Sequence, residues 1–260
     1  MLKNPHSKIS PASYGGVVVS TGKDGQRRVL LQQRRDSYAY TGFLCGDYPS
    51  EEYLPKYFNL MTEEEKDRLF YYYQDFDALW EDLFIRTERR AMRNMYPFAK
   101  ETFERIKHQI PFYVELSESS IDLPWAFPTG RLKKHGDIER TIISEIEEET
   151  RVRVAKENFV PGIEFNRTIM GSDDRTYSYK YYLAQLDRLI EVPNVYTDTP
   201  NGIREKCFTD ETNCAKWVTF DEARYMVDES LQEVLTEVEY YELFPVDLSD
   251  LLDVVDLIRG

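Results

Sequence analysis

The sequence predicts an α+β fold or mixed-sheet sandwich, with a helical segment inserted after the first strands. Three observations indicate this. Two β-hairpin patterns flank a single amphipathic helix, a long segment of helical spacing precedes that helix, and a late strand leads into helical sequence. Strands on both sides of a lone helix, with further helices inserted and appended, are typical of a layered sandwich around one sheet.

The first hairpin is predicted over residues 13–35, "SYGGVVVSTGKDGQRRVLLQQRR". Its two apolar runs are rich in valine and leucine and are separated by "TGKDGQ". The Asp24-Gly25 pair can adopt the positive φ angles that a tight hairpin turn requires. We therefore predict two antiparallel strands in this region.

The spacing of apolar residues then becomes helical over residues 49–108. Thr62 and Glu65 have the three-residue separation of a capping box, which marks the start of a helix. Apolar side chains recur with helical spacing at Phe76, Leu79, Trp80 and Leu83. We assign 49–108 as an inserted helical subdomain, and 1–48 together with 109–260 as a core domain with C-terminal helices.

Strand character returns after the insertion. We predict a strand at "FYVEL" (112–116), and "WAFP" (125–128) is a short apolar run that ends at a proline. "EFNRTIM" (164–170) and "RTYSYKYYLAQL" (175–186) are separated by Gly-Ser-Asp-Asp, which is a second hairpin signal.

The last third of the chain is predicted to add one strand and two helices. "AKWVTF" (215–220) has strand character and leads into a helix that begins at Asp221. "LSDLLDVVDLI" (248–258) has the spacing of an amphipathic closing helix.

The predicted helix over residues 137–150 lies between the two hairpins. Asp137 can cap its N-terminus. Its buried stripe consists of Ile138, Ile142 or Ile143, and Ile146. The C-terminal half of the helix is strongly acidic.

Three glutamates of this helix, Glu145, Glu148 and Glu149, fall at positions i, i+3 and i+4. Their carboxylates share one face and repel one another unless a positive charge lies among them. One interpretation is a solvated acidic face, which is usual for a run of glutamates. The other is a metal site, because magnesium prefers hard oxygen ligands and keeps several waters, so a few carboxylates beside a diphosphate suffice.

The segment from 130 to 152 resembles the Nudix box, whose pattern is G-x5-E-x7-R-E-U-x-E-E-x-G-U with U apolar. Gly130 matches the first glycine, residues 145–149 match the E-U-x-E-E core, and Val152 matches the last apolar position. The preceding "PWAFPTG" (124–130) is similar to the strand and turn of that family. The resemblance implies a Nudix-type α/β/α sandwich. It also implies an enzyme that hydrolyses a diphosphate linkage with the help of Mg²⁺ or Mn²⁺.

Within this resemblance, Glu145, Glu148 and Glu149 are the implied metal ligands and catalytic residues, and Gly130 is the implied box turn. Three positions depart from the pattern: Gly136 replaces a glutamate, Ser144 replaces the arginine and Arg151 replaces the late glycine. The glutamate missing at 136 and the arginine missing at 144 have supporting roles and opposite charges. Because both are absent, neither leaves the other as an unpaired buried charge. Because Arg151 stands where the motif has glycine, we predict that the helix does not end at the usual left-handed residue.

A second, narrower resemblance concerns the insertion. "RRDSYAYTGFLCGDY" (34–48), "LPKYFNLMTEEEKDRL" (54–69) and "FDALWEDLF" (76–84) are similar to the stretch that precedes the box in the Nudix decapping enzymes of large cytoplasmic DNA viruses, of the poxvirus and African swine fever virus type. This resemblance implies removal of the 5′ cap of mRNA, with capped RNA as partner. It also implies a viral protein that acts in the host cytoplasm.

Composition limits the classes of partner. With 33 lysines and arginines against 47 aspartates and glutamates, the net charge is −14, so the chain as a whole repels nucleic acid and anionic membranes. We expect no membrane span and no export signal, because no apolar run approaches the ~18 residues that cross a bilayer. Cys45, Cys207 and Cys214 have no CxxC spacing, so a reducing compartment such as the cytoplasm is expected.

A local basic segment is the predicted RNA-binding surface. Between residues 86 and 107 seven basic residues stand against three acidic ones. The proposed contacts are Arg86, Arg89, Arg90, Arg93 and Lys100. The four arginines fall at i, i+3, i+4 and i+7, so a helix continuing from Trp80 would place them on one face for phosphate contacts. The alternative is that they pair with neighbouring carboxylates such as Glu81, Asp82 and Glu88.

Aromatic side chains could stack on a methylated guanine through cation–π contact. The candidates are Tyr38, Tyr40, Phe43, Trp125 and Phe127. For each of them packing in the core is the alternative, because aromatic residues make up 14% of the chain.

Three functions follow from these observations. The first is cleavage of the mRNA cap, releasing 7-methyl-GDP and 5′-monophosphate RNA, with Glu205 or Glu211 as candidates for a general base. The second is the same chemistry on a free nucleoside diphosphate derivative. The third is a degenerate Nudix fold that binds RNA or protein, for which Gly136, Ser144 and Arg151 are the support.

Overall fold

The computed structural model describes residues 12–84, 90–120, 122–132, 136–171, 173–198, 203, 206–209 and 211–243. Its main sheet is formed by β1 (Ser13–Thr21), β2 (Arg27–Arg34), β3 (Trp125–Ala126), β4 (Thr129–Arg131), β5 (Phe159–Met170), β6 (Thr176–Leu186) and β9 (Thr212–Thr219). A separate pair consists of β7 (Thr197–Asp198) and β8 (Lys206–Cys207).

The sheet is mixed, as predicted. Its strands run in the order β3-β2-β1-β6-β5, with β4 pairing with β1 and β9 pairing with β2. β1 and β6 are parallel, with Val18 opposite Ala184, and the other pairings of this sheet are antiparallel. The parallel pair requires a long connection between its strands, and the helices of the insertion and the acidic helix occupy that connection.

Both predicted hairpins are present. The first turns at Gly25, whose φ is 76°, and the second turns at Asp174, whose φ is 60°. In the second turn the Gly171 N–H donates to the Arg175 carbonyl at 2.8 Å. Aspartate is one of the few residues that tolerate this left-handed conformation, which explains how the polar sequence closes the turn.

Helices cover both faces of the sheet, which confirms the predicted α/β/α sandwich. On one face α7 (Ile138–Thr150) packs Ile142 and Ile146 against β-strand side chains such as Val18 and Leu30. On the other face lie α8 (Phe220–Met226) and α9 (Glu229–Leu243). Buried side chains of this second core include Val17, Val19, Leu183, Val234 and Leu235.

Among the described residues, six α-helices form a lobe beside the sandwich, and this lobe has its own core. These helices are α1 (Tyr38–Leu44), α2 (Leu54–Asn59), α3 (Glu63–Tyr72), α4 (Phe76–Leu83), α5 (Arg90–Ile106) and α6 (Ile110–Leu116). The predicted capping box starts α3, because the Thr62 hydroxyl accepts from Glu65 N and the Glu65 carboxylate accepts from Thr62 N. The helices extend beyond the predicted 49–108, since α1 and α6 pack in the same core.

Two predictions of secondary structure are wrong. Residues 112–116 are not a strand but the end of α6, where Pro111 stands in the first turn and is favoured by its fixed φ. The helix through Trp80 does not continue into the arginines, because α4 ends at Leu83 and Phe84 is non-helical. The predicted closing helix over 248–258 lies outside the described residues.

Polar contacts join the lobe to the second hairpin. The Tyr53 hydroxyl donates to Asp174 at 2.5 Å, and Lys56 pairs with the same carboxylate at 3.3 Å. Arg175 pairs with Asp47 at 2.7 Å. These contacts hold the lobe across one end of the sheet and leave a cleft between the two.

Among the described residues, no helix has the length and apolar character needed to cross a membrane.

Candidate active site

The cleft between the lobe and the sandwich has a volume of about 1970 Å³ and contains all three glutamates of the acidic face. The sandwich contributes residues of α7, β4 and β6, and the lobe contributes residues of α1 and α5. Glu145, Glu148 and Glu149 therefore line the same open cleft. The sequence alone could not distinguish this arrangement from a face in open solvent.

The local sequence explains how α7 presents these side chains. Asp137 caps the helix through Oδ1, which accepts from the Arg140 N–H at 3.2 Å. Ile142 and Ile146 are buried against the sheet, so the helix cannot rotate about its axis without exposing them. With these residues fixed, the glutamates at 145, 148 and 149 point into the cleft.

Glu149 is the most buried of the three, with 6% of its surface exposed. Its Oε2 accepts from the Thr129 N–H at 2.9 Å. Burial raises the pKa of the Glu149 carboxyl well above its usual value, and the nearby charges of Glu145 and Glu211 raise it further. The Thr129 hydrogen bond and the charge of Arg34 oppose this rise. A second positive charge placed among these carboxylates would relieve the repulsion.

The glycine that opens the box motif has a specific steric role. A Cβ built on Gly130 would lie 1.9 Å from Oε1 of Glu145, so any larger residue would displace that carboxylate. Gly130 sits on β4 opposite Tyr14 of β1, so its backbone is fixed by the sheet. The Glu145 side chain thus occupies the space that the absent Cβ leaves.

Arg34 is a site residue that the sequence reasoning missed. It ends β2 and lines the cleft with the three glutamates. Its Nε donates to the Asp36 carbonyl at 3.2 Å, and its Cζ lies 4.1 Å from the centre of the Tyr38 ring. The fixed guanidinium is suited to bind phosphate oxygens. The only signal in the sequence is the position of Arg34 at the end of an apolar strand.

Glu211 is the candidate base that the fold brings into the cleft. It directly precedes β9, and its carbonyl accepts from the Arg35 N–H at 2.9 Å. The pairing of β9 with β2 places Thr212 opposite Arg34. The other candidate, Glu205, lies outside the described residues.

The residues of the cleft fit a divalent metal that keeps part of its water shell. Among the described residues, no group of three or more His, Cys, Asp or Glu side chains is placed so that it could hold a metal ion together. The donor chemistry is nevertheless that of magnesium and manganese, which bind carboxylate oxygens and complete their shell with water and substrate phosphate. Glu145, Glu148 and Glu149 are the residues that would hold such an ion.

The aromatic candidates divide into two groups. Tyr40, Phe43 and Phe127 are wrong as stacking residues, because each is at most 1% exposed and belongs to a hydrophobic core. Tyr38 is 56% exposed and, like Trp125, lines the cleft. The ammonium of Lys216 lies 4.5 Å from the centre of the Trp125 ring.

The described residues include only part of the predicted basic surface. Arg86 and Arg89 lie outside the described residues, as does the side chain of Arg90. Arg93 is exposed on α5. Lys100 pairs with Asp77 at 2.8 Å and donates to the Tyr96 hydroxyl at 2.9 Å, and this hydrogen-bonded ion pair raises its pKa. For Lys100, pairing with a neighbouring carboxylate is therefore what the structure supports.

The prediction about the end of α7 is wrong. Arg151 is itself the left-handed residue, with φ 60° and ψ 11°, and its N–H donates to the Glu147 carbonyl. The helix therefore ends as it would with the glycine of the motif. An arginine adopts this conformation only at a steric cost that its side-chain contacts must offset.

The buried Glu149 predicts a pH dependence of stability in metal-free buffer. Between the pKa of a free glutamate and the raised pKa of Glu149, the folded protein holds a proton that the unfolded chain has lost. The free energy of unfolding therefore decreases as pH rises through this window. Denaturant unfolding at several pH values in the presence of EDTA checks this, and Glu149→Gln should flatten the dependence. If the free energy of unfolding of Glu149→Gln decreased with pH as steeply as that of the wild-type protein, this prediction would be contradicted.

Comparison with known proteins found matches to solved structures at low similarity. No protein-family model matches the chain. No curated protein sequence matches it either. An Ap4A hydrolase from C. elegans, solved as a binary complex, is 13% identical with a TM-score of 0.45, over 90% of this chain and 98% of that one.

Two solved structures described as Nudix hydrolases are similar at the same level. RenU from M. smegmatis is 9% identical with a TM-score of 0.41, over 90% of this chain and 86% of that one. A Nudix hydrolase from Nitrosomonas europaea is 12% identical with a TM-score of 0.39, over 90% of each chain. These values are too low to assign a family or a function, so the assignment depends on the residues of the cleft.

Proposed function

We propose that this chain is a metal-dependent Nudix-type hydrolase that cleaves a diphosphate linkage. The single observation that carries the proposal is the meeting of Glu145, Glu148 and Glu149 in one cleft, with Gly130 leaving room for the first of them. A solvated acidic face has no need of a buried glutamate or of a glycine that makes room for another. Both features are expected where carboxylates converge on a cation.

The residues of the cleft have separate roles in this reaction. The three glutamates would hold Mg²⁺ or Mn²⁺, and the ion would neutralise charge on the diphosphate and make water more acidic. Arg34 binds phosphate oxygens through its fixed guanidinium. Glu211, which enters the cleft from the β9 side, accepts a proton from the attacking water. Water adds to phosphorus as the bridging P–O bond breaks.

The substrate that we propose is the 5′ cap of mRNA, with 7-methyl-GDP and 5′-monophosphate RNA as products. Tyr38 and Trp125 support this choice, because both line the cleft that holds the glutamates. A 7-methylguanine carries positive charge and is attracted to the face of an aromatic ring. The cleft is also large enough for a dinucleotide cap.

A second candidate substrate is a free nucleoside diphosphate derivative. The observation that favours it is that three basic side chains of the described part of the segment 86–107 pair with carboxylates. Lys100 is paired with Asp77, Arg105 with Glu51 at 3.0 Å and Lys107 with Glu104. A third candidate, an inactive module that binds RNA or protein, is favoured by the departures at Gly136, Ser144 and Arg151.

Product analysis separates these candidates. Cap-labelled RNA, Ap4A and ADP-ribose are each incubated with the protein and Mg²⁺ or Mn²⁺, and the released nucleotide is identified. Release of 7-methyl-GDP from capped RNA at a higher kcat/KM than the turnover of either small substrate supports decapping. Preference for Ap4A or ADP-ribose supports the second candidate. Absence of turnover of all three substrates with both metals would support the inactive module.

Tyr38→Ala is expected to weaken binding of a stacked base by about 1–3 kcal/mol, because the exposed ring supplies the stacking surface. The measurement is KM for capped RNA, with kcat followed in parallel. Tyr71→Ala is the matched control, since Tyr71 is 74% exposed and is not among the residues that line the cleft. An unchanged KM in Tyr38→Ala would remove Tyr38 from the binding site.

A further inference from the structure

Arg151 ends α7 in a conformation that arginine rarely adopts. Its φ of 60° lies in the left-handed region, which glycine enters without steric penalty. The N–H of Arg151 still closes the helix by donating to the Glu147 carbonyl at 2.9 Å. A glycine would make the same turn with less strain, so the side chain must account for the arginine.

The Arg151 guanidinium reaches from α7 to a distant part of the chain. Nη1 donates to the Val195 carbonyl at 2.7 Å, and Nη2 donates to the Phe208 carbonyl. The Cζ also lies 4.6 Å from the centre of the Phe208 ring. The planar fork of an arginine can make these contacts together, whereas a lysine ammonium has no plane that stacks on the ring.

Phe208 leads into a tight turn that carries Glu211. The Thr209 N–H donates to the Thr212 carbonyl at 3.0 Å. The Thr209 hydroxyl accepts from the N–H groups of Glu211 and Thr212, at 3.3 and 3.0 Å. The Glu211 carbonyl in turn accepts from the Arg35 N–H at 2.9 Å. This turn is therefore hydrogen-bonded to Arg35, directly after β2, and to Arg151 at the end of α7.

We propose that Arg151 is a positioning residue that holds Glu211 in the cleft beside Glu149. The inference rests on the proposed function, in which Glu211 accepts a proton from the attacking water. Arg151, Phe208, Thr209 and Glu211 all line the cleft that holds the three glutamates. The same arginine thus ends the metal-binding helix and fixes the segment that brings a carboxylate from the other side.

Arg151→Gly is the decisive variant, because glycine keeps the left-handed turn and removes the tether. We expect kcat to fall about 10–100-fold, the usual effect of losing a partner that orients a site residue, with KM changed less than about twofold. Arg151→Lys should recover part of kcat through its one remaining donor group. The matched control is Arg153→Ala, since Arg153 is 84% exposed and pairs with Glu147 on the surface of the protein.

Two further measurements separate positioning from a general loss of structure. Hydrogen exchange of the peptide that contains Phe208 and Glu211 should accelerate in Arg151→Gly and stay unchanged in Arg153→Ala. In a Glu211→Gln background, Arg151→Gly should lower kcat by less than about twofold, because the group that it positions is already gone. A full additional loss in that background would overturn the proposal.

The outcome for Arg151 can be distinguished from the outcome for the proposed function. If the wild-type protein hydrolyses none of the three substrates, the proposed function fails. The exchange measurement then decides for Arg151 by itself, since acceleration supports the tether and unchanged exchange overturns it. If the wild-type protein is active and Arg151→Gly matches it in kcat, only the inference about Arg151 is overturned.

Discussion

Glu149→Gln is expected to abolish metal-dependent cleavage while the protein remains folded. Glutamine keeps the size of the side chain and one carbonyl oxygen, but it loses the charge that attracts a divalent ion held by few protein ligands. Because Glu149 is 6% exposed and its oxygen accepts from the Thr129 N–H, a carbonyl oxygen can keep that hydrogen bond. Glu148→Gln, on the same face, is expected to have the same effect on cleavage.

The metal-free variant should be at least as stable as the wild-type protein. Relief of like charge on a helix face is worth roughly 0.2–0.5 kcal/mol per pair. Glu147→Gln is the matched control, because Glu147 lies on the same helix but pairs with Arg153 at 2.6 Å and is not among the cleft residues. Cleavage and melting are measured with and without Mn²⁺. A fully active Glu149→Gln protein would place the metal on other residues.

Gly130→Ala is expected to reduce cleavage roughly 10–100-fold, the range found when the orientation of a metal ligand is lost. The new methyl group would occupy the position of the Glu145 carboxylate, since the two would lie 1.9 Å apart. Gly130 is not among the described residues with positive φ, so alanine strains the backbone little. The effect should therefore appear in activity and Mn²⁺ affinity, with the melting temperature nearly unchanged.

A double variant tests whether Gly130 acts through Glu145. In a Glu145→Ala background the short side chain leaves room for the added methyl group, so Gly130→Ala should cause little further loss of Mn²⁺ affinity. Equal losses of affinity in both backgrounds would mean that Gly130 has another role. The comparison needs no knowledge of the natural substrate.

Local signals predicted most of the sheet and the acidic helix. The Asp24-Gly25 turn, the Asp137 cap and the capping box of Thr62 and Glu65 depend on neighbours within a few residues, and all of them are present. The strand predicted at "FYVEL" (112–116) is wrong, because a short apolar run has no periodicity that distinguishes a strand from a buried helix.

The parts of the site that could not be predicted depend on contacts between distant segments. Arg34 and Glu211 meet in the cleft because β9 pairs with β2, which places Thr212 opposite Arg34. No local pattern contains that register. Likewise, Tyr38 and Tyr40 are two residues apart on α1, yet one is exposed at the cleft and the other is buried in the lobe. Only the packing of the other helices decides between them.

Titration of Mn²⁺ followed by isothermal calorimetry tests the central claim most directly, because it requires no substrate. The wild-type protein is compared with the variant that combines Glu145→Gln, Glu148→Gln and Glu149→Gln, and with Glu147→Gln as control. We predict that the wild-type protein and the control bind Mn²⁺ alike and that the combined variant does not. Equal binding by all three proteins would contradict the assignment of the α7 face as the metal site.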